Sequence, residues 1–304
     1  PKNLLRLADA MSILAVEDPN LAVAVNEETG EYLLSGTGEF HLEIALQSLS
    51  ENSQLGVTVS RPMVVYRESV TEKGRVATAQ SPNRHNSIQI QAEPTKKLTE
   101  EETERIWVSD KNENTLINLT EENTLLLENR DIIVSAFQKT CKAGPLCREP
   151  LRGAKAKIVN AQLSEKSEFR ELAQIAKSVQ HAVFGSFLTA KPVLLEPIYK
   201  IDVSVPTQWF GQTAAIITGR RGKVLATKQK NTLTFISAHI PVAETFGLAE
   251  KMRSATSGHA FWQLTFDHWK RIPENRALNA IREIRERKGL TPEMSKPEKY
   301  AEIM

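Results

Sequence analysis

EPIYKIDVSVPTQWFGQTAAIITGRRGKVLATKQKNTLTFISAHIPV, residues 196–242, is the stretch on which the fold turns. Residues 196–206 read as a strand, and Trp209 to Thr218 as a short helix that Gly219 ends. KVLATKQK (223–230) and TLTFISAHIPV (232–242) make a hairpin across Asn231. Beyond them, Phe246 to Thr256 is helical, closed by Gly258, and HAFWQLTFDHW (259–269) is a strand. That order, β-α-β-β-α-β, is a split β-α-β unit. A charged helix, RALNAIREIRERKG (276–289), follows with Gly289 as its C-cap. The tail beyond it, with Pro292 and Pro297, is expected to be loosely ordered.

The first third repeats the pattern with a gap. Leu4, Leu7, Ala8, Met11, Leu14 and Ala15 fall at helical spacing, and Asp18-Pro19-Asn20 stops that helix. LAVAV (21–25) and YLLSG (32–36) flank NEETGE, a turn containing Gly30. GEFHLEIALQSL (38–49) is helical, with Phe40, Ile44 and Leu49 among its apolar positions, and LGVTVS (55–60) alternates like a strand. The order α-β-β-α-β is a split β-α-β unit without its first strand, which is expected upstream of Pro1.

The middle differs. GRVATAQ (74–80) and NSIQIQAEP (86–94) read as strands around the loop SPNRHN (81–86). Residues 96–123 are polar and acidic and carry no assignable structure. Thr124 to Leu127 reads as a strand, Arg130 to Lys142 as a helix and GAKAKIVNAQL (153–163) as a strand. Ser164 onward leads into a helix with apolar positions at Phe169, Leu172, Ala173, Ala176, Val179 and Val183. The fold class is α+β in three domains, 1–68, 69–192 and 193–304, the outer two being split β-α-β (ferredoxin-like) units.

Composition is that of a soluble protein: 304 residues, 40% hydrophobic and 25% charged. No apolar run approaches the roughly 20 residues that span a bilayer. The chain begins Pro1-Lys2-Asn3, without an initiator Met or signal peptide, and reads as a piece of a longer protein. Cys141 and Cys147 are too few for a disulfide scaffold and read as reduced thiols. The triplet His41-Leu42-Glu43 lacks the Cys-x-x-Cys half of a deaminase signature, and no metal site, phosphate loop, dinucleotide fingerprint or nucleophile elbow occurs. Gly36-Thr37-Gly38 ahead of a helix reads as a tight turn rather than an anion cradle. No residue of this chain is assigned to catalysis, cofactor or metal.

Charge is uneven: net −6 over 1–68, +2 over 69–192 and +6 over 193–304. Two basic clusters stand out. GRRGK (219–223) gathers Arg220, Arg221 and Lys223 in a glycine-flanked turn suited to phosphates, and SPNRHN carries Arg84 and His85 at a hairpin tip.

Eight stretches occur together in an order that resembles archaeal and eukaryotic elongation factor 2: SGTGEFHLEI (35–44), RPMVVYRESV (61–70), SPNRHN (81–86), AGPLCREP (143–150), FLTAKPVLLEPI (187–198), GRRGK (219–223), PVAETFG (241–247) and MRSATSGHAFW (252–262). The resemblance covers essentially the whole chain. It implies the third, fourth and fifth domains of a translational GTPase, the fourth related to a ribosomal protein, with no GTPase domain in this chain. GTP and Mg are then expected in the N-terminal domains, and the ribosome as partner of a cytoplasmic monomer that touches no membrane. It further implies rRNA contacts for Arg220, Arg221 and Lys223. Asn83, Arg84, His85, Asn86, Phe169 and Arg170 fall at the tip that meets tRNA–mRNA at the decoding site.

Within SEKSEFRELAQI (164–175), the family pattern resembles H-E-D-x-x-H-R-G-x-A-Q-I, and alignment through Arg170, Ala173, Gln174 and Ile175 puts Phe169 where the histidine converted to diphthamide stands. Phenylalanine cannot be so converted, which implies insensitivity to toxins that ADP-ribosylate diphthamide. Glu171 and Leu172 replace the turn glycine and its neighbour, so the helix is expected to start early, capped by Ser164 or Ser167, with Phe169 against its apolar face or the neighbouring hairpin. Three readings stay open: a translocase without diphthamide, a diverged paralogue serving another ribosomal step such as assembly or recycling, and a non-catalytic RNA- or protein-docking scaffold.

Overall fold

The computed structural model describes residues 2–25, 32–53, 55–60, 62–95, 98–121 and 123–304, so the NEETGE turn lies outside the described residues. In chain order the elements begin α1 (Lys2–Glu17), β1 (Ala22–Val25), β2 (Tyr32–Ser35) and α2 (Glu39–Ser53). Next come β3 (Arg67–Val70), β4 (Ala77–Gln80), β5 (Ser87–Pro94), α3 (Glu100–Glu104), β6 (Ile106–Ser109) and β7 (Thr115–Asn118). Then follow α4 (Thr124–Glu128), α5 (Arg130–Cys141), β8 (Ala154–Gln162), α6 (Leu172–Thr189) and β9 (Pro192–Pro206). The last are α7 (Phe210–Gly219), β10 (Lys223–Lys230), β11 (Leu233–Pro241), α8 (Leu248–Ala255), β12 (Phe261–Arg271), α9 (Glu274–Arg287) and β13 (Glu302–Ile303). By contacts the chain forms two compact units, residues 1–64 with 199–265 and residues 65–198 with 266–304.

In the first unit, both split β-α-β modules have their own cores. Met11, Leu14, Leu21, Ala45 and Leu49 fill the first, while Phe40 and Ile44 of α2 are 57% and 51% exposed, against the sequence expectation. The β-α-β-β-α-β reading of 196–269 holds element for element, with sheet order β10-β11-β9-β12. Ile201, Val203 and Val205 of β9 and Ile236, Ala238 and Ile240 of β11 point to one face, against α7 and α8. Asn231 takes the left-handed conformation (φ 55°) that its hairpin turn needs.

LGVTVS (55–60) does not form the expected strand. In the later module the last strand, β12, pairs with the first, β9. The equivalent of β9 is missing from the described first module, so its alternating residues have no ladder partner, and Val59 is 55% exposed. Gly36-Thr37-Gly38 is a tight turn whose Thr37 N–H donates to His41 Nδ1 (3.1 Å), while His41 Nε2 meets Asp18 at 2.7 Å.

The second unit is built on the sheet order β13-β4-β5-β8-β7-β6. Ile88, Ile90 and Ile158 on its inner face pack on Ile133 and Phe137 of α5 and on Ile175, Val179, Val183 and Phe187 of α6. Residues 124–128 are helical, not a strand: Asn123 Oδ1 accepts from Leu126 N–H (3.0 Å) and caps α4, which buries Leu126. The C-terminal tail is ordered, not loose. Its last residues pair with β4 (Ile303↔Ala77), and Tyr300 stands edge-on to Phe184 at 5.4 Å. α9 ends as expected, with Gly289 at φ 65° and Leu290 N–H donating to Arg285 O.

Two buried acids organise this unit. Glu68 accepts hydrogen bonds from the N–H groups of Leu146 (2.7 Å), Cys147 (2.8 Å) and Glu149 (3.0 Å), wrapping AGPLCREP around one carboxylate. A Cβ on Gly144 would overlap Glu68 Oε2, so only glycine allows the loop to close this tightly. Burial pushes the Glu68 carboxyl up to about 7 against those three donors. On the outer face of the sheet, Lys155 and Lys157 lie between Glu93 and Glu102, with Lys155 Nζ 2.9 Å from Glu93 and 3.0 Å from Glu102. Glu102 also completes a capping box with Thr99 at the start of α3. Burial opposes its ionisation, but hydrogen bonds from Lys157, Lys155 and the Thr99 N–H outweigh that and hold it at about 2.

Glu68→Ala strips the acceptor from three buried N–H groups and is expected to cost about 3 kcal/mol or more in urea denaturation. The two acids act oppositely with pH. Glu102, lowered on folding, adds stability above about pH 4.5 that is lost as pH falls toward 2; Glu68, raised, adds stability below about 4.5 that is lost as pH rises through 7. Denaturation midpoints measured from pH 3 to 8 should therefore lose part of their acid-side fall in Glu102→Gln.

Candidate nucleic-acid interface

In the second unit, two loops meet at one end of the sheet: SPNRHN between β4 and β5, and residues 164–171 between β8 and α6. Asn86 is 1% exposed and ties them together. Its amide donates to Phe169 O (2.7 Å) and Ser81 Oγ (3.1 Å), and its Oδ1 accepts from Ser164 N–H (3.1 Å). Asn83 donates to the same Phe169 carbonyl (3.0 Å), receives His85 N–H on Oδ1 (3.1 Å) and gives its own N–H to Gln174 Oε1 (2.9 Å). Arg84, between them, is at φ 59°, a conformation that turns the exposed Arg84 and His85 side chains outward from the asparagine pair.

The expected early helix does not form. Residues 167–169 make one 3-10 turn, Glu171 is extended (φ −57°, ψ 151°), and α6 starts at Leu172 without a side-chain cap. The reason is local: the Phe169 carbonyl, which would accept a helical N–H from the next turn, already serves Asn83 and Asn86. Neither Ser164 nor Ser167 caps α6; Ser164 Oγ accepts from Lys166 N–H (3.3 Å). Phe169 is half-buried and stacks on His85, ring centroids 4.0 Å apart and 19° from coplanar, so it tucks against the hairpin and not against the helix. Lys166 Nζ lies 5.7 Å from the same ring. Arg170 instead pairs with Glu128 (3.3 Å), its side chain only 12% exposed.

In the first unit, GRRGK is the α7–β10 turn. Arg220 faces inward: its guanidinium donates to Glu244 O (2.6 Å), Phe246 O (2.8 Å) and Gly247 O (3.1 Å), gripping PVAETFG. Gly247, at φ 64°, gives its N–H to Glu39 Oε2 (2.7 Å), so three of the sequence motifs converge on one hydrogen-bonded knot. Arg221 (φ 59°) pairs with Glu244 at 3.5 Å, and Gly222 returns its N–H to Ile217 O (2.9 Å). A Cβ at Gly222 would lie 2.5 Å from that carbonyl, which requires glycine there. Lys223 is exposed.

The sequence-derived tip residues are thus brought together, but with divided labour. Asn83 and Asn86 are internal ties, Arg84, His85 and Phe169 form the outward face, and Arg170 is held by an acid. Lys166 and Gln174 are tip residues that the sequence reading misses. Lys166 has a local signal, as the cation three residues before the aromatic; Gln174 lies 91 residues from its partner and has none.

Arg220→Lys cannot reproduce a fork onto three carbonyls and is expected to lower stability by about 2 kcal/mol in urea denaturation. Lys223→Ala, at an exposed side chain, should leave stability unchanged in the same measurement.

Residues 2–61 match the family model Elongation Factor G, domain III; residues 62–191 match Elongation factor G, domain IV; residues 193–281 match Elongation factor G C-terminus. Elongation factor 2 of Staphylothermus marinus is 42% identical, and those of Sulfurisphaera tokodaii and Saccharolobus solfataricus are 40% and 39% identical. Each alignment takes in 99% of this chain and 45% of the relative, so the chain spans less than half the length of these curated relatives. A crystal structure of a Thermus thermophilus protein superposes with a TM-score of 0.69 at 26% identity, over 94% of this chain and 41% of that one. Domain models in succession over 2–281, with identity near 40% over 99% of the chain, make this chain a member of the elongation factor 2 family that carries domain III, domain IV and the C-terminal domain.

Proposed function

We propose that the chain is the ribosome-binding part of an elongation factor 2-like translational GTPase that acts in GTP-driven translocation, with its domain IV tip working without diphthamide. GTP and Mg belong, in this reading, to upstream domains that the curated relatives' greater length leaves room for. The observation that carries it is the stacked pair of Phe169 and His85, fixed from below by Asn83 and Asn86 and flanked by Lys166 and Arg84. Such a pair offers a flat π surface and positive charge to an RNA duplex end or an unstacked base. Lys223 and the turn that bears it would meet rRNA phosphates. The factor acts as a cytoplasmic monomer; among the described residues no helix is long and apolar enough to cross a membrane.

A second reading, a paralogue that uses the same body for another ribosomal step, has one observation in its favour. Exposed Glu165, Glu168 and Glu171 surround the tip, and Arg170 is already neutralised by Glu128. Carboxylates there oppose phosphate approach.

Toeprinting with the full-length factor and ribosomes of its own source, as found and as Phe169→His, separates the two. A one-codon shift of mRNA with GTP in the natural protein, kept in Phe169→His and weakened in His85→Ala, is the expected result. Ribosome binding without any shift would assign the chain to the paralogue.

A further inference from the structure

The sheet of the later split β-α-β module has a second face that the core does not use. Val203, Ile236 and Trp262 point to the α7–α8 side, and their neighbours along each strand point the other way. There, β11 presents Phe235 (42% exposed) and β12 presents Phe261 (75% exposed), with β9 between them. Two strand spacings put their strands roughly 9–10 Å apart. Both rings line a groove of about 550 Å³ whose floor includes Asp202, Ser237 and Gln263 and whose rim includes Lys228. Single exposed apolar residues are common, but two phenylalanines lining one groove with a carboxylate between them are a composed surface.

The polar groups have a direction. Asp202 takes hydrogen bonds from Ser237, Lys200 and Gln263, which favour its ionised form, and Lys200 Nζ sits 3.0 Å away. Its side chain is 35% exposed, so the carboxylate still faces the groove. An ionised carboxylate accepts hydrogen bonds and repels phosphate, so it selects a ligand edge that donates. β10, along one side, carries Lys228 and Lys230, both exposed, where a backbone of phosphates could run. Aromatic rings for stacking, an acceptor at the centre and cations at the edge are the components with which open four-stranded sheets read single-stranded RNA.

We propose that this sheet face binds an unstacked purine base of single-stranded RNA. The base lies against Phe261 and Phe235, donates its exocyclic amino group to Asp202, and has its flanking phosphates on Lys228 and Lys230. None of these residues belongs to GRRGK or to the domain IV tip, and the proposal stands or falls apart from translocation.

The test is fluorescence anisotropy of the 304-residue chain with labelled heptanucleotides of uridine carrying one central adenosine, one nebularine (the same purine without the amino group) or one abasic site. Binding is expected to rank adenosine above nebularine above abasic. Phe261→Ala should weaken the adenosine oligonucleotide by about tenfold or more and leave the abasic one unchanged. Asp202→Asn should abolish the difference between adenosine and nebularine, and Lys228→Ala should lower the salt slope by about one. Phe261 is mostly solvent-exposed, so its variant keeps the core; Phe235→Ala gives an independent second reading, and circular dichroism checks both folds. Equal binding of the three oligonucleotides, or indifference of the adenosine complex to both phenylalanine variants, overturns the proposal. A dimer seen by analytical ultracentrifugation that Phe261→Ala dissolves would assign the face to a second copy of the chain and overturn it as well.

Discussion

Asn86 is the constraint from which the domain IV tip follows. One buried amide holds two loops that are 83 residues apart at its Phe169 contact, with both of its N–H donors and its carbonyl oxygen engaged within the protein. The consequences run outward from it. Because Phe169's carbonyl is turned toward Asn86 and Asn83, the chain cannot continue as helix through residue 169, and a 3-10 turn and an extended Glu171 precede α6 instead. Because the carbonyl points in, the ring sits outside it, where His85 meets it face to face. A tip made this way is ordered before any partner arrives, which reduces the entropy lost on binding.

The charged residues divide in a way that composition hides. Arg220 belongs to a basic cluster of the sequence and Arg170 to the stretch SEKSEFRELAQI, yet one clasps three backbone carbonyls and the other an acid. Lys155 and Lys157 are enclosed by Glu93 and Glu102. Removing one partner of such a set leaves a buried charge uncompensated, which costs more than the pair itself contributes. Arg84, Lys166, Lys223, Lys228 and Lys230, by contrast, are among the exposed cations.

The later split β-α-β module is legible in the sequence because its strands alternate and its turns carry Asn231 and glycine, signals that act over a few residues. Residues 55–60 show the same alternation, but a strand also needs a neighbour, and none is described beside them. Thr124–Leu127 looks strand-like for its leucines; Asn123, one residue earlier, is the cap that makes it a helix. The prolines of the C-terminal tail suggest looseness, whereas its order comes from pairing with β4, more than two hundred residues earlier, which no local pattern encodes. At the tip, the motifs identify the neighbouring residues correctly but not the helix start, because propensity at Glu171 and Leu172 yields to hydrogen bonds from the facing loop.

The most direct test of this account is amide hydrogen exchange of segments 81–86 and 164–171 in the wild-type chain and in Asn86→Ala. If the buried amide holds the tip, both segments are protected together in the wild type and lose protection together in the variant, while β5 and β8 keep theirs. Segments that exchange independently in the wild type, or that keep their protection without Asn86, would contradict it.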